Sequence, residues 1–191
     1  VNVAFFLATL ATTLLAGTLS VGLPSLRNLL HGGVPFSAAM VGILLCHELG
    51  HYLMARAWGV SSTLPFFVPG PPPVGTFGAV IRIRSLMPSR RAVLDIGAAG
   101  PIAGFLVAVP LLVWGLLHSE VRPFPHPTFV NTGSLLEVAR ALWRGEELVT
   151  SGSTMFFGDS LVTWAAQRVA AGALPPGHDL AAHPVAVAAI F

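Results

Sequence analysis

Long runs of apolar residues, separated by shorter polar stretches, divide the chain into its predicted elements. The first run contains no Asp, Glu, Lys or Arg. A helix needs about 20 apolar residues to cross the hydrocarbon core, so three runs are long enough and the last is only the start of one. The predicted transmembrane helices occupy residues 1–26, 34–58, 92–117 and, as a truncated start, 183–191.

Residues 61–85 interrupt the helical pattern without becoming strongly polar. Five prolines between positions 65 and 73 exclude a regular helix, and residues 76–84 end in the alternation typical of a strand. Non-helical backbone at membrane depth has to be covered by protein or line a wet cavity. We therefore predict an all-α membrane protein, a polytopic helical bundle, with a small membrane-associated β-strand or re-entrant loop.

Five of the ten arginines lie in or beside the connection between the second and third predicted helices. The positive-inside rule places this connection on the cytoplasmic side, so residues 118–182 are expected to be extracytoplasmic. Two short amphipathic helices are predicted there. Ser134 and Glu137 have the spacing of a capping box, and Asp159 or Ser160 could cap the second helix.

The composition supports a membrane protein. Mean hydropathy is +0.77, and 9% of residues are charged, against roughly 25% in an ordinary soluble domain. These values exclude a soluble globular domain, a disordered region and a nucleic-acid-binding protein. The single cysteine, Cys46, excludes a disulfide framework and a cysteine-rich metal site.

His47, Glu48 and His51 form the pattern H-E-x-x-H within the second predicted membrane helix. Residues four apart share one helix face about 6 Å apart, so both imidazoles can hold one metal ion. Glu48 lies about 100° around the helix, close enough to take a proton from water activated by zinc. Ionisable residues inside a membrane helix are costly and mark function by default, which favours this site over hydrogen bonding between helices.

Three segments of the chain resemble the site-2 protease family of intramembrane zinc metalloproteases. They are the H-E-x-x-H helix, residues 75–81 and the glycine-proline motif of residues 95–104. The resemblance implies that His47 and His51 bind Zn²⁺, that Glu48 is catalytic, and that a transmembrane protein substrate is cleaved within or near the bilayer. Without a PDZ module between the helices, the chain is most similar to the plastid and cyanobacterial-type branch.

The third zinc ligand of that family, an aspartate in an L-D-G motif on a later helix, has no counterpart here. A catalytic zinc needs three protein ligands and a water. The three aspartates, Asp95, Asp159 and Asp179, lie in other contexts. We expect that the chain is C-terminally truncated, and that alone it binds zinc weakly and is inactive. Completion of the site by another side chain is the alternative.

The predicted strand offers an edge to which an extended substrate can pair, although a strand that only fills the bundle is also possible. The candidate substrate-binding residues are Phe77, Gly78, Ala79, Val80 and Ile81. Three glycines have the spacing that lets membrane helices approach closely, which predicts packing against the H-E-x-x-H helix. They are Gly97, Gly100 and Gly104. Asp95 is expected to form an interfacial ion pair or cap, with a role near the metal as the alternative.

The leading functional hypothesis is an intramembrane zinc metalloprotease. A non-catalytic relative that binds membrane helices is the alternative, and a proton or metal-ion transporter ranks lower because no internal repeat is visible. The expected partners are a transmembrane substrate and membrane lipid. We expect a multi-pass protein of the bacterial plasma membrane, with a plastid membrane as the second possibility.

Overall fold

The computed structural model describes residues 2–123, 160–172 and 178–191. Three of the helices in this part of the chain are long and apolar enough to cross a membrane. In chain order the helices are α1 (Asn2–Val21), α2 (Leu26–Ala57), α3 (Arg90–Leu117), α4 (Leu161–Ala171) and α5 (Pro184–Ile190). The predicted class, a helical membrane protein with a small strand region, is confirmed.

The break between the first two helices lies earlier than the sequence suggested. α1 ends at Val21 rather than at residue 26, because Gly22 has a φ of 145° that no helix accommodates. α2 then begins at Leu26, where the Ser25 side chain accepts the Asn28 backbone N–H at 3.1 Å. A π-helical turn over Leu29–Gly33 joins this start to the regular helix that follows.

The region between α2 and α3 is an antiparallel hairpin of β1 (Phe66–Pro69) and β2 (Thr76–Val80). The predicted strand is therefore one of a pair, and it ends at Val80 rather than at residue 84. Beyond β2, Ile83 forms an isolated bridge with Ser62. The sequence patterns did not indicate a second antiparallel pair, β3 (Glu120–Pro123) with β4 (His178–Ala181).

The hairpin lies against α1. Thr12 Oγ1 donates a hydrogen bond to the Gly75 carbonyl at 2.6 Å. A Cβ atom at Gly75, which has a φ of 81°, would lie 2.7 Å from the Thr12 carbonyl oxygen, so the turn reaches the helix only because this residue is glycine. Two aromatic pairs extend the contact, Phe5 with Phe66 and Phe6 with Phe67.

The two short helices complete the described bundle. Ser160 caps α4 through a reciprocal capping box with Thr163, whereas the predicted caps at Ser134 and Asp159 lie outside the described residues. α5 packs against α3 and α2. The approach to α3 is close, since a Cβ atom at Gly115 would lie 2.5 Å from the Ala186 backbone nitrogen.

Candidate metal centre and catalytic site

His47 and His51 lie in the regular part of α2, one turn apart, and their rings converge. Their Nε2 atoms are 3.1 Å apart and their ring centroids 4.8 Å apart. The spacing follows from the helix itself, because residues four apart stand above one another on the same face. The two Nε2 atoms thus point toward the same position between α2 and α3.

A second contact holds the His51 ring. Its Nδ1 atom lies 2.6 Å from the Ile96 carbonyl oxygen of α3. A carbonyl can only accept, so Nδ1 carries the proton and Nε2 keeps its lone pair. Orientation of a ligand histidine by a backbone carbonyl is the usual arrangement around protein-bound metals.

Glu48 is buried beside this pair, with 5% of its surface exposed. Ile81, directly after β2, lies close to its carboxylate. Glu48 and His51 line a cavity of about 380 Å³ together with Val80 and Ile81. A buried carboxylate, an imidazole and a strand edge therefore meet at one cavity.

The donor set fits zinc in part. Two nitrogens bound to a tetrahedral zinc ion at about 2.1 Å lie about 3.4 Å apart, close to the separation of the two Nε2 atoms. Among the described residues, however, no group of three potential metal ligands occurs. Asp95 faces Arg91 at 3.8 Å on the exposed start of α3, in the interfacial ion pair that the sequence suggested. Asp159 and the Asp179 side chain lie outside the described part.

The five candidate substrate-binding residues occupy different surroundings. Val80 and Ile81 line the cavity. Phe77 is 76% exposed and does not reach it. Ala79 is buried in an apolar cluster with α2 and β1, and Gly78 has a φ of 106°. The cavity end of the segment is thus the part nearest the histidines.

The predicted glycine packing holds for two of its three residues. Gly100 and Gly104 lie against the rings of His51 and His47, whereas a Cβ atom at Gly97 would meet nothing within 4 Å. Gly50 of α2 completes the close approach, since its Cβ atom would lie 2.5 Å from the Ala99 carbonyl oxygen. The role of the Ile96 carbonyl had no signal in the sequence, because a backbone group is the same at every position.

Comparison with known proteins places the site in a family. The sequence profile of peptidase family M50 matches residues 35–174, which include the helix with both histidines. The chain belongs to peptidase family M50. This confirms the resemblance to the site-2 protease family.

Two relatives of this M50 chain come from Arabidopsis thaliana. It is 35% identical over 116 residues to "Probable zinc metalloprotease EGY1, chloroplastic", covering 61% of this chain and 20% of the relative. It is 41% identical over 89 residues to "Probable zinc metalloprotease EGY2, chloroplastic", covering 47% of this chain and 16% of the relative. No solved structure matches the chain significantly.

The matched segments span a fifth or less of the length of these curated relatives. The membrane location of the M50 chain is supported by its three apolar helices. The expected bacterial plasma membrane is not supported, since both relatives are named chloroplastic.

Proposed function

We propose that the chain carries two zinc ligands and the catalytic carboxylate of an intramembrane metalloprotease that hydrolyses a peptide bond of a transmembrane protein. The observation that carries this proposal is the pair of Nε2 atoms, 3.1 Å apart, beside the buried Glu48 in a helix long enough to span a membrane. Three ionisable groups on adjacent turns of such a helix are costly to bury, and a shared catalytic role accounts for all three.

His47 and His51 would hold Zn²⁺ through Nε2. Zinc bound there supplies Lewis acidity, which favours ionisation of water and polarises a peptide carbonyl. Glu48 would accept a proton from the attacking water and then deliver it to the leaving amine nitrogen. Ile81 lines the cavity together with Glu48. We place the third ligand that such a site needs outside the described residues.

The substrate would lie extended along the free edge of β2. The backbone of Arg82 faces the β1 side, since its carbonyl accepts from Thr63 N at 2.9 Å and its N–H donates to Thr63 Oγ1 at 2.9 Å. Ile81 follows β2 directly and lines the cavity with Glu48, on the side where a substrate strand would pair. Pairing at this edge would expose peptide carbonyls that a helix hides.

We further propose that the protein resides in a plastid membrane, as the names of its relatives suggest. Apolar side chains on the outer face of α3, among them Leu94 and Phe105, are exposed and would contact membrane lipid. A substrate that reaches the cavity would then be a polypeptide embedded in the same bilayer.

The decisive variant is Glu48→Gln in the full-length protein. It replaces a carboxylate by an amide of the same shape, so the base is lost while both ligand nitrogens remain. We expect cleavage of a single-span transmembrane reporter to fall by at least about a hundredfold, the usual contribution of a general base. Zinc content, measured by mass spectrometry of the purified protein, should stay at the parent level.

Asp95→Asn is the matched control, because it makes the same carboxylate-to-amide change at the exposed Arg91 ion pair. It should cleave as the parent does. Cleavage by Glu48→Gln at the parent rate would refute the proposed mechanism. A loss with Asp95→Asn equal to that with Glu48→Gln would also contradict it.

A non-catalytic, helix-binding relative of the family is the second candidate. The absence of a third ligand among the described residues favours it. This candidate predicts that the full-length parent purifies without zinc and retains the reporter uncleaved, and that Glu48→Gln changes neither property.

A further inference from the structure

The face of the His51 ring lies against α3 at Gly100. A Cβ atom at Gly100 would overlap the Nε2, Cδ2 and Cε1 atoms of His51 together. Simultaneous overlap with three ring atoms means that the face of the ring, rather than its edge, covers this position. Every residue other than glycine would therefore displace the ring from its present place.

The same helix also fixes the rotation of the ring. One turn before Gly100, the Ile96 carbonyl accepts the His51 Nδ1–H at 2.6 Å. Rotating the ring by 180° about its χ2 bond would replace this hydrogen bond with a C–H contact and turn Nε2 away from His47. The carbonyl and the glycine act together, because the short hydrogen bond requires the close approach that Gly100 permits.

The contact between His47 and α3, at Gly104, is less close. A Cβ atom at Gly104 would lie 3.2 Å from His47 Nδ1 and 3.3 Å from its Cβ atom. Such a contact is tight, but a shift of a few tenths of an ångström relieves it. The two glycines therefore differ in how strictly each one determines the position of its histidine.

We propose that Gly100 is a positioning residue for zinc, which places the His51 ring so that Ile96 selects its tautomer and aims Nε2 at the metal. The inference rests on the proposed function, in which His51 is a zinc ligand. It assigns the control of metal affinity to α3, a helix that contributes no ligand among the described residues.

The test is zinc affinity of the full-length protein in lipid nanodiscs, measured by competition with a chelating dye. Gly100→Ala should weaken zinc binding by about tenfold or more, the usual effect of losing a partner that orients a ligand. The absorption spectrum of bound Co²⁺ should change as well, because one nitrogen is displaced. Gly104→Ala should give a smaller loss of affinity.

Two further alanine variants distinguish a displaced His51 ring from a general loss of stability. Gly115 is on α3 like Gly100, about 22 Å from it along the helix axis. Gly115→Ala introduces a Cβ atom 2.5 Å from the backbone nitrogen of Ala186 on α5. It should lower thermal stability and leave zinc affinity unchanged. Gly42→Ala, whose Cβ atom meets nothing within 4 Å, should change neither property.

Parent-like zinc affinity and Co²⁺ spectrum in Gly100→Ala would overturn the inference, as would an equal affinity loss in Gly115→Ala. If Gly100→Ala does not fold, ¹⁵N imidazole NMR of the parent decides. The inference requires the Nδ1–H tautomer at His51, and an Nε2–H tautomer refutes it. The proposed function fails separately if His47→Ala and His51→Ala bind zinc as tightly as the parent.

Discussion

Threonine hydroxyls on α1 carry much of the polar contact between elements in this apolar molecule. Thr9 and Thr13 are fully buried, and each bonds to a carbonyl one turn earlier in its own helix. Thr13 also bonds to Ser37 of α2 at 2.7 Å, and Thr12 bonds to the Gly75 carbonyl at 2.6 Å. In a membrane such hydrogen bonds add to packing where the hydrophobic effect between helices is weak.

At this scale, Thr12→Val should loosen the hairpin from α1. Valine has nearly the same shape but no hydroxyl, so the Gly75 carbonyl keeps only its bond from Gly70 N–H at 3.1 Å. We expect the free energy of unfolding to fall by about 1 kcal/mol. Hydrogen exchange of the hairpin amides should accelerate, as measured by mass spectrometry in nanodiscs.

Thr12→Ser retains the hydroxyl and is the control. It should preserve slow exchange in the hairpin. If the serine variant, which keeps the hydroxyl, loosened the hairpin as much as the valine variant, the hydrogen bond from Thr12 would not be the contact that holds the hairpin.

Among the elements, the start of α5 depends on a histidine. His183 lies outside the three spanning helices, and its Nδ1 accepts the Val185 N–H at 3.3 Å, while its own backbone N–H donates to Ser119 Oγ at 2.9 Å. The pKa of His183 is lowered from its ordinary value of 6.5, first by burial and then by the neighbouring His118. The neutral ring is therefore the form that caps the helix.

Acidification should fray this helix start. Because the pKa is lowered in the folded state, the cap contributes fully above pH 6.5, and its contribution is lost as the pH falls from there through the lowered pKa. Protonation places a hydrogen on Nδ1 and removes the acceptor for Val185. The Val185 amide should then exchange faster relative to its intrinsic rate, as measured by NMR across that range.

His183→Asn provides the comparison. Asparagine is a good capping residue that does not titrate, so the pH dependence should disappear while the cap remains. An asparagine variant with the same pH dependence as the parent would show that another group controls the start of α5.

The site shows which contacts a sequence can predict. The i, i+4 pair follows from helix periodicity, so the facing of His47 and His51 could be expected from five letters of sequence. The contacts of His51 with Ile96 and of Thr12 with Gly75 join residues 45 and 63 positions apart. No local pattern fixes such distances, since they depend on how whole helices pack. β1 was not predicted because Phe66–Pro69 shows no alternation and lies in a proline-rich segment.

For the molecule as a whole, the contacts among the described residues leave one edge of β2 open to an extended peptide. β1 covers one edge of β2, and α1 lies against the turn of the hairpin. The other edge faces Glu48 and the cavity. A substrate that pairs with β2 must therefore approach from the side of α2 and α3.

Cysteine cross-linking would locate this approach. In a full-length Cys46→Ala and Glu48→Gln background, Val80→Cys should form a disulfide with a single-cysteine transmembrane reporter. Leu64→Cys should not form this disulfide, because Leu64 precedes β1, the strand that covers the other edge of β2. The two positions are similarly accessible, since the exposed fraction is 62% for Leu64 and 55% for Val80. Equal yields from the two positions would argue against pairing at the β2 edge.

The hairpin and the histidine pair differ in the helices that hold them. The histidine pair is held by α2 and α3, whereas β1 and β2 pack against α1 through Thr12 and two aromatic pairs and also against α2 at Val41. The two groups thus share α2, and the contact through Thr12 belongs to the hairpin. In the proposed function, changes in α1 would therefore act first on how the hairpin holds a substrate.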